Sequence, residues 1–383
     1  MIPILEVFLS FVKLYESTFT YVNDKLCLSK NMSQIITYSP AYTIVPTYEC
    51  FNQCTYCNFR VAPGQSPWLT IAEAKQQLEY LHEQGVCEIL VLSGEVHPRS
   101  IRREAWLKRI YDICQLALSV GFLPHTNAGP ISFEEMQQLK QVNVSMGLML
   151  EQLTPKLLET VHRNALSKSP ELRLQQLQWA GALRIPFTTG LLLGIGESRS
   201  DRRETLEAIA QIHRQWGHIQ EVILQPHSPG DRQSFNEPAF ASKQLPDLIA
   251  EAKEILPETI AIQIPPNLIP ESSILLDCLA AGATDLGGIG PKDEVNPDYP
   301  HPHLQRLQEI LASAGWKLVP RLPVYPHYYN WLSPQLQKAV TDLIQSDAIE
   351  IGLQEEEWEN RRLLNSCTTA RVPNPSLTDN ESL

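Results

Sequence analysis

Eight short runs rich in Val, Ile and Leu alternate along this chain with longer stretches of helical periodicity, and that alternation leaves few folds open. The runs fall at Thr43–Thr47, Glu88–Ser93, Leu123–Thr126, Val144–Leu150, Phe187–Leu193, Glu221–Gln225, Ile260–Ile264 and Thr284–Leu286. Between them the periodicity predicts helices over Ile71–Gln84, Arg102–Ser119, Phe133–Gln141, Pro155–His162 with Glu171–Leu183, Asp201–Gln215, Ser242–Ile255 and Ser272–Ala281. Several stop at a glycine (Gly85, Gly121, Gly217, Gly282), as helix C-termini do. Strict alternation predicts a parallel sheet with right-handed crossovers. Eight units predict an α/β fold of the TIM type, a closed (β/α)8 barrel. In that architecture the chemistry sits at the C-terminal ends of the strands, so the residues just after each run carry the functional reading.

The barrel accounts for residues 36–299. Residues 1–35 form an N-terminal arm whose apolar patches, broken by Glu6 and Lys13, are too short for a membrane span. Residues 300–366 read as an accessory C-terminal cap, with helices near His303–Ala314 and Gln335–Gln345 around a proline- and aromatic-rich stretch from Pro320 to Trp331. Residues 367–383 are polar and are expected to be disordered. A formal charge of −12, with no dense Lys/Arg run, argues against nucleic acid as a partner and leaves a small polar molecule.

Of eight cysteines, Cys50, Cys54 and Cys57 are clustered as C-x3-C-x2-C directly after the first strand. The others are scattered through mostly apolar segments, where a cysteine is usually a small core residue, so no disulfide framework is implied and a reducing cytoplasm is the natural setting. Thiolates suit iron–sulfur clusters or zinc. A 4Fe–4S cluster normally takes four, so three would leave one iron open to bind and cleave something. The other reading is a structural zinc site completed by a distant His or Cys.

Further strand ends carry polar groups. Ser93, Gly94 and Glu95 close the second strand, Glu151 closes the fourth, and the fifth runs Gly190-Leu191-Leu192-Leu193-Gly194-Ile195-Gly196-Glu197. His125 and Asn127 follow the third strand, Thr188 and Thr189 lie in the fifth, and Gln225, Gln263, Asn267 and Asp285 mark the sixth to eighth. Singly these would be caps or barrel-layer residues. Together they suit a polyhydroxylated or heterocyclic ligand.

The cysteine triplet, with Tyr56 before its last thiol, resembles the signature of the radical S-adenosylmethionine (SAM) superfamily. The resemblance implies that Cys50, Cys54 and Cys57 bind a 4Fe–4S cluster and that SAM chelates its open iron. Ser93-Gly94-Glu95 stands where the family has G-G-E, with Glu95 on the SAM amino group. Gly194 and Glu197 belong to a pattern similar to the family's G-x-I-x-G-x-x-E along the adenosine, and Tyr56 and Glu151 are further SAM candidates.

Longer strings narrow this. Ile185-Pro186-Phe187-Thr188-Thr189-Gly190, Gly217-His218-Ile219-Gln220-Glu221-Val222-Ile223, Ile262-Gln263-Ile264-Pro265-Pro266-Asn267-Leu268 and Asp285-Leu286-Gly287-Gly288 resemble the first-subunit (CofG) family of deazaflavin (Fo) synthases. The resemblance implies a radical lyase that closes a hydroxybenzyl–ribityluracil adduct into Fo, the chromophore of a deazaflavin coenzyme. It also implies a CofH-like partner subunit, and a reductant such as ferredoxin or flavodoxin. That partner, an aminofutalosine-pathway cyclase and a zinc-stabilised barrel without activity are the alternatives. One departure stands out: Pro226-His227-Ser228 follows Gln225 where an Asn-Phe pair is expected.

Overall fold

The computed structural model describes residues 34–81 and 84–350. The expectations for the arm before Gln34 and for the polar tail lie outside the described residues. Among the described residues, nine strands and ten α-helices follow in the order β1 (Gln34–Ile44), α1 (Ile71–Leu81), β2 (Glu88–Leu92), α2 (Arg103–Ser119), β3 (Leu123–Asn127), α3 (Phe133–Leu139), β4 (Ser145–Gly147), α4 (Lys156–Glu159), α5 (Pro170–Ala182) and β5 (Phe187–Leu193). The second half adds α6 (Arg199–Trp216), β6 (Ile219–Pro226), α7 (Leu245–Ile255), β7 (Ala261–Gln263), α8 (Ser272–Ala281), β8 (Asp285–Ile289), α9 (Leu304–Ser313), β9 (Trp316–Pro320) and α10 (Pro334–Glu350).

Strands β1 to β8 pair in parallel with their sequence neighbours, and β1 pairs with β2 through Ala41–Ile44 and with β8 through Thr37–Pro40. The barrel is therefore closed, as the alternation predicted. All seven residues of β5 are buried, as expected for a strand covered on both faces. Helix ends follow local chemistry. Ser198 and Asp201 form a capping box at the start of α6, and Gly217 ends that helix in the left-handed region at φ 67°.

Three elements depart from the expectation, the first two for visible reasons. Strand β1 starts at Gln34 rather than Thr43 because its first half pairs with β9, which the half-exposed, lysine- and proline-bearing run Trp316–Pro320 conceals. The helix predicted over Pro155–His162 is one turn, because the chain folds back so that His162 N donates to Leu157 O at 2.7 Å. Strand β4 shrinks to Ser145–Gly147.

The segment after β9 turns beneath the barrel. Val324, Tyr328, Leu332, Leu336 and Val340 pack on Leu123 and Val144, at the N-terminal ends of β3 and β4, opposite the cysteine loop. Among the described residues no helix is long and apolar enough to cross a membrane.

Candidate active site

Cys50, Cys54 and Cys57 lie on a loop beyond β1 that other segments hold through backbone hydrogen bonds. Cys50 N donates to Val61 O (3.0 Å), Phe51 N to Glu95 O (3.0 Å), Gln53 N to Asn164 O (2.7 Å) and Thr55 N to Val161 O (3.1 Å). Asn52 adds a side-chain clasp, Nδ2 to Ser167 Oγ at 2.8 Å. Glu49, 3% exposed, accepts from Gly64 N (2.7 Å), Trp68 Nε1 (3.0 Å) and Arg102 (2.9 Å). Burial pushes its carboxyl up, but these partners outweigh burial and hold it below the ordinary value.

Strand β2 delivers Ser93, Gly94 and Glu95 to the same place. A Cβ on Gly94 would sit 2.3 Å from Glu49 O, so only glycine lets the two strand ends meet. Ser93 Oγ accepts from Trp106 Nε1 at 2.9 Å and thus anchors α2. Glu95 fills the space left by Gly129, where a Cβ would come within 2.3 Å of its carboxyl carbon. Arg173, 2% exposed, lies 3.8 Å from Glu95 and is fixed by Ser167 O (3.0 Å) and Met149 O. Glu151 adopts φ 64°, a left-handed backbone uncommon outside glycine, and pairs with Lys168. Burial pushes the Glu151 carboxyl up, yet Lys168 and Arg173 pull it below its usual value, so the pair is ionised. Two carboxylates and two cations therefore meet beside the thiols.

Glu197 is inward-facing too, but its partners are local. Gly194 N and Ile195 N donate to its two oxygens at 2.7 and 2.8 Å, and Arg202 Nε donates at 2.8 Å. It therefore shapes the Gly194 turn. Tyr56 packs with Leu157, Val161, Leu192 and Ile195, and its hydroxyl lies 3.0 Å from His162 Nε2. The Pro226-His227-Ser228 departure covers the cysteine loop from above: His227 packs edge-on against Phe235, while Ser234 N and Phe235 N donate to Thr55 O at 2.8 and 3.0 Å.

Below the mouth a cavity of about 180 Å³ opens inside the barrel. His125, Asn127, Thr188, Gln225, Gln263 and Asn267 line it. Two of the sequence candidates do not. Thr189 follows Thr188, so the strand's alternation turns it to the outer face, where it is fully buried. Asp285 is also fully buried and is gripped by Arg321, Nε to Oδ2 at 2.6 Å and Nη2 to Oδ1 at 2.8 Å, with Thr37 Oγ1 donating at 2.5 Å. Asn267 lines the rim but donates to Asp293 Oδ2 and Tyr299 O, both at 2.9 Å, and so holds the loop after β8.

A family model described as the radical SAM superfamily matches residues 44–209. A curated relative from Trichormus variabilis is 66% identical over 325 residues, covering 85% of this chain and 96% of its own. One from Synechocystis sp. is 58% identical over 309 residues, covering 81% and 99%. Both are named 7,8-didemethyl-8-hydroxy-5-deazariboflavin synthase. This chain belongs to that radical SAM synthase family. Among solved structures, the FeFe-hydrogenase maturase HydG from Carboxydothermus hydrogenoformans matches at TM-score 0.64 and 15% identity, covering 88% of this chain and 82% of that one. Methylornithine synthase (PylB) matches at 0.57 and 14%, covering 75% and 84%. At such identities the likeness is one of fold.

Radical SAM membership implies a 4Fe–4S cluster and SAM, and the residues present fit both. Burial pushes Cys50 up to about 12 and Cys54 up to about 11, so these thiols need a cation among them to ionise, and iron is one. The zwitterionic end of SAM needs an acceptor for its ammonium and cations for its carboxylate. Glu95 could serve as the first, and Lys168 and Arg173, which lie beside it and Glu151, could serve as the second. Sequence reasoning missed both cations, because a Lys and an Arg around a helix start look like any solvated pair. It also missed Glu88, Glu221 and Arg321 beneath the cavity. A charged residue inside a strand of mostly apolar residues, first in β2 for Glu88 and third in β6 for Glu221, was the available signal for the carboxylates.

Proposed function

We propose that this synthase-family chain is the subunit that converts the hydroxybenzyl–ribityluracil adduct into Fo, releasing ammonia, deoxyadenosine and methionine. The observation that carries the reading is the near-complete coverage of the deazaflavin synthase relatives. A cluster on Cys50, Cys54 and Cys57 would supply the electron that cleaves SAM to a deoxyadenosyl radical. The protein's own part is binding and exclusion. Glu95 would accept from the ammonium, Lys168 and Arg173 would hold the carboxylate, and Tyr56 with Ile195 and Leu192 would give an apolar wall. The loop that carries His227 and Phe235 shields the cysteine loop from water. Asn127, Gln225 and Gln263 line the cavity with groups suited to a uracil ring. A CofH-like subunit would make the adduct, and a ferredoxin- or flavodoxin-type protein would deliver electrons.

The test uses protein reconstituted anaerobically with iron and sulfide, reduced, and given SAM and the adduct. Deoxyadenosine together with deazaflavin fluorescence supports the reading. Deoxyadenosine without fluorescence keeps the radical SAM chemistry and points to another substrate. A protein that binds zinc and no sulfide refutes the cluster.

A further inference from the structure

The barrel floor holds a second cluster of buried ionisable groups, distant in chain and position from the cysteine loop. Glu88 and Glu221 line the deep end of the cavity from β2 and β6, His125 and Thr188 from β3 and β5, and Arg321 enters from the segment after β9. Donors there are already committed. Arg321 is shared between Asp285 and Glu221, and Thr188 Oγ1 donates to Glu221 Oε2 at 2.8 Å. Ser145 Oγ donates to Pro323 O at 2.6 Å, so its contact with His125 Nδ1 at 2.7 Å makes the histidine the donor and places the ring proton on Nδ1. Burial pulls His125 down to about 3, so the ring is neutral and Nε2 is a bare lone pair. It lies over Gly147, where a Cβ would come within 2.8 Å. Burial pushes the Glu88 and Glu221 carboxyls up against the pull of Arg321, so a hydroxyl that donates to either would favour its ionised form. With such a ligand in place the floor presents Glu88, Glu221 and His125 Nε2 as acceptors, because its own donors are committed elsewhere.

We propose that this floor holds the ribityl chain of the substrate and selects a free polyol over a phosphorylated one. The assignment rests on the reaction proposed above. Each hydroxyl of a sugar-alcohol chain brings a donor to the acceptors lining the floor, and its oxygen can accept in turn. A terminal phosphate would instead place negative charge against Glu88 and Glu221, and the guanidinium nearby is already shared with Asp285. With the chain on the floor, the ring end points to the strand C-termini, where Asn127, Gln225 and Gln263 line the wall and the cysteine loop lies above.

The experiment compares three compounds on reconstituted enzyme: the adduct, an analogue with methyl in place of ribityl, and the adduct phosphorylated at its terminal hydroxyl. Deazaflavin fluorescence gives kcat and KM. The methyl and phosphate compounds should show KM raised roughly tenfold or more, with kcat changed less, because charged hydrogen bonds are lost or opposed. Glu88→Gln should raise KM for the adduct about tenfold and leave KM for the methyl analogue unchanged, since its partner is absent. Should that variant fail to fold, the three compounds on the wild-type enzyme decide the matter. Equal KM for adduct and methyl analogue, with fluorescent product from both, overturns the floor assignment and leaves the reaction standing. A phosphorylated adduct used as well as the free one overturns the selectivity. No deazaflavin from the adduct itself overturns the reaction, and this assignment with it.

Discussion

The barrel buries charge at both ends, and the two ends are balanced differently. At the mouth, Glu95 and Glu151 face Lys168 and Arg173, one cation for each carboxylate. At the floor, Arg321 stands against Asp285 and Glu221, with Glu88 close by. The mouth is assembled from loops fixed by backbone hydrogen bonds to the cysteine segment, a neutral frame ready for a zwitterion and a cluster. The floor is assembled from strand interiors and one arginine from outside the barrel. Its surplus of acceptors favours a ligand made of hydroxyls. A balanced site grips charge of both signs, while an acceptor-rich one tells a hydroxyl from a phosphate.

The largest effect should come from the mouth. Cys54→Ala should abolish iron–sulfur assembly and lower deoxyadenosine formation by more than about a thousandfold, while circular dichroism stays that of a folded barrel. Deoxyadenosine at the parental rate would show that Cys54 is not a ligand. The floor should answer in stability instead. Arg321→Met leaves Asp285 and Glu221 buried without their cation and should cost about 3–5 kcal/mol in urea unfolding; a loss under 1 kcal/mol would mean that the floor tolerates unpaired charge. Next, Glu95→Gln should weaken SAM binding about tenfold with the cluster absorbance intact. Unchanged affinity would move the ammonium site elsewhere.

The smallest test is one of pH. Burial pulls His125 at the floor and His162 at the mouth down to about 3, from an ordinary value near 6.5. Both are neutral when folded, so their contribution is present above pH ~6.5 and is lost as pH falls below it, at up to about 1.4 kcal/mol per pH unit each. Glu221 works the other way. Burial pushes it up to about 7, so it binds its proton first in the folded state and adds stability as pH falls from about 7 to about 4.5. Glu221→Gln should therefore make acid destabilisation steeper between pH ~7 and ~5. Parallel stability–pH curves for parent and variant would refute the raised carboxyl.

The same contrast explains what could be read from the chain alone. The alternation of apolar runs gave the closed barrel, because every strand must be buried on both faces. The mouth was legible because its chemistry sits in short local strings, Cys50 to Cys57 and Ser93 to Glu95. Of the floor only His125 and Thr188 were legible, because Glu88, Glu221 and Arg321 are brought to them only by closure of the sheet. Asp285 was read as a ligand-facing group when it is Arg321's partner, since nothing near Asp285 in sequence announces an arginine from beyond β9. Thr188 and Thr189 looked equivalent, and only the phase of the strand separates them.

The pairing of β1 with β9 bears on how the molecule is made. Arg321 lies 36 residues beyond Asp285, so all eight barrel strands are synthesised before the guanidinium that neutralises their lower end. A nascent chain that closed early would enclose carboxylates with no cation and no plug beneath them. The last strand must find the first before the floor can dehydrate. Arrival of the C-terminal segment is thus the natural moment at which a loose ring of strands becomes a sealed vessel.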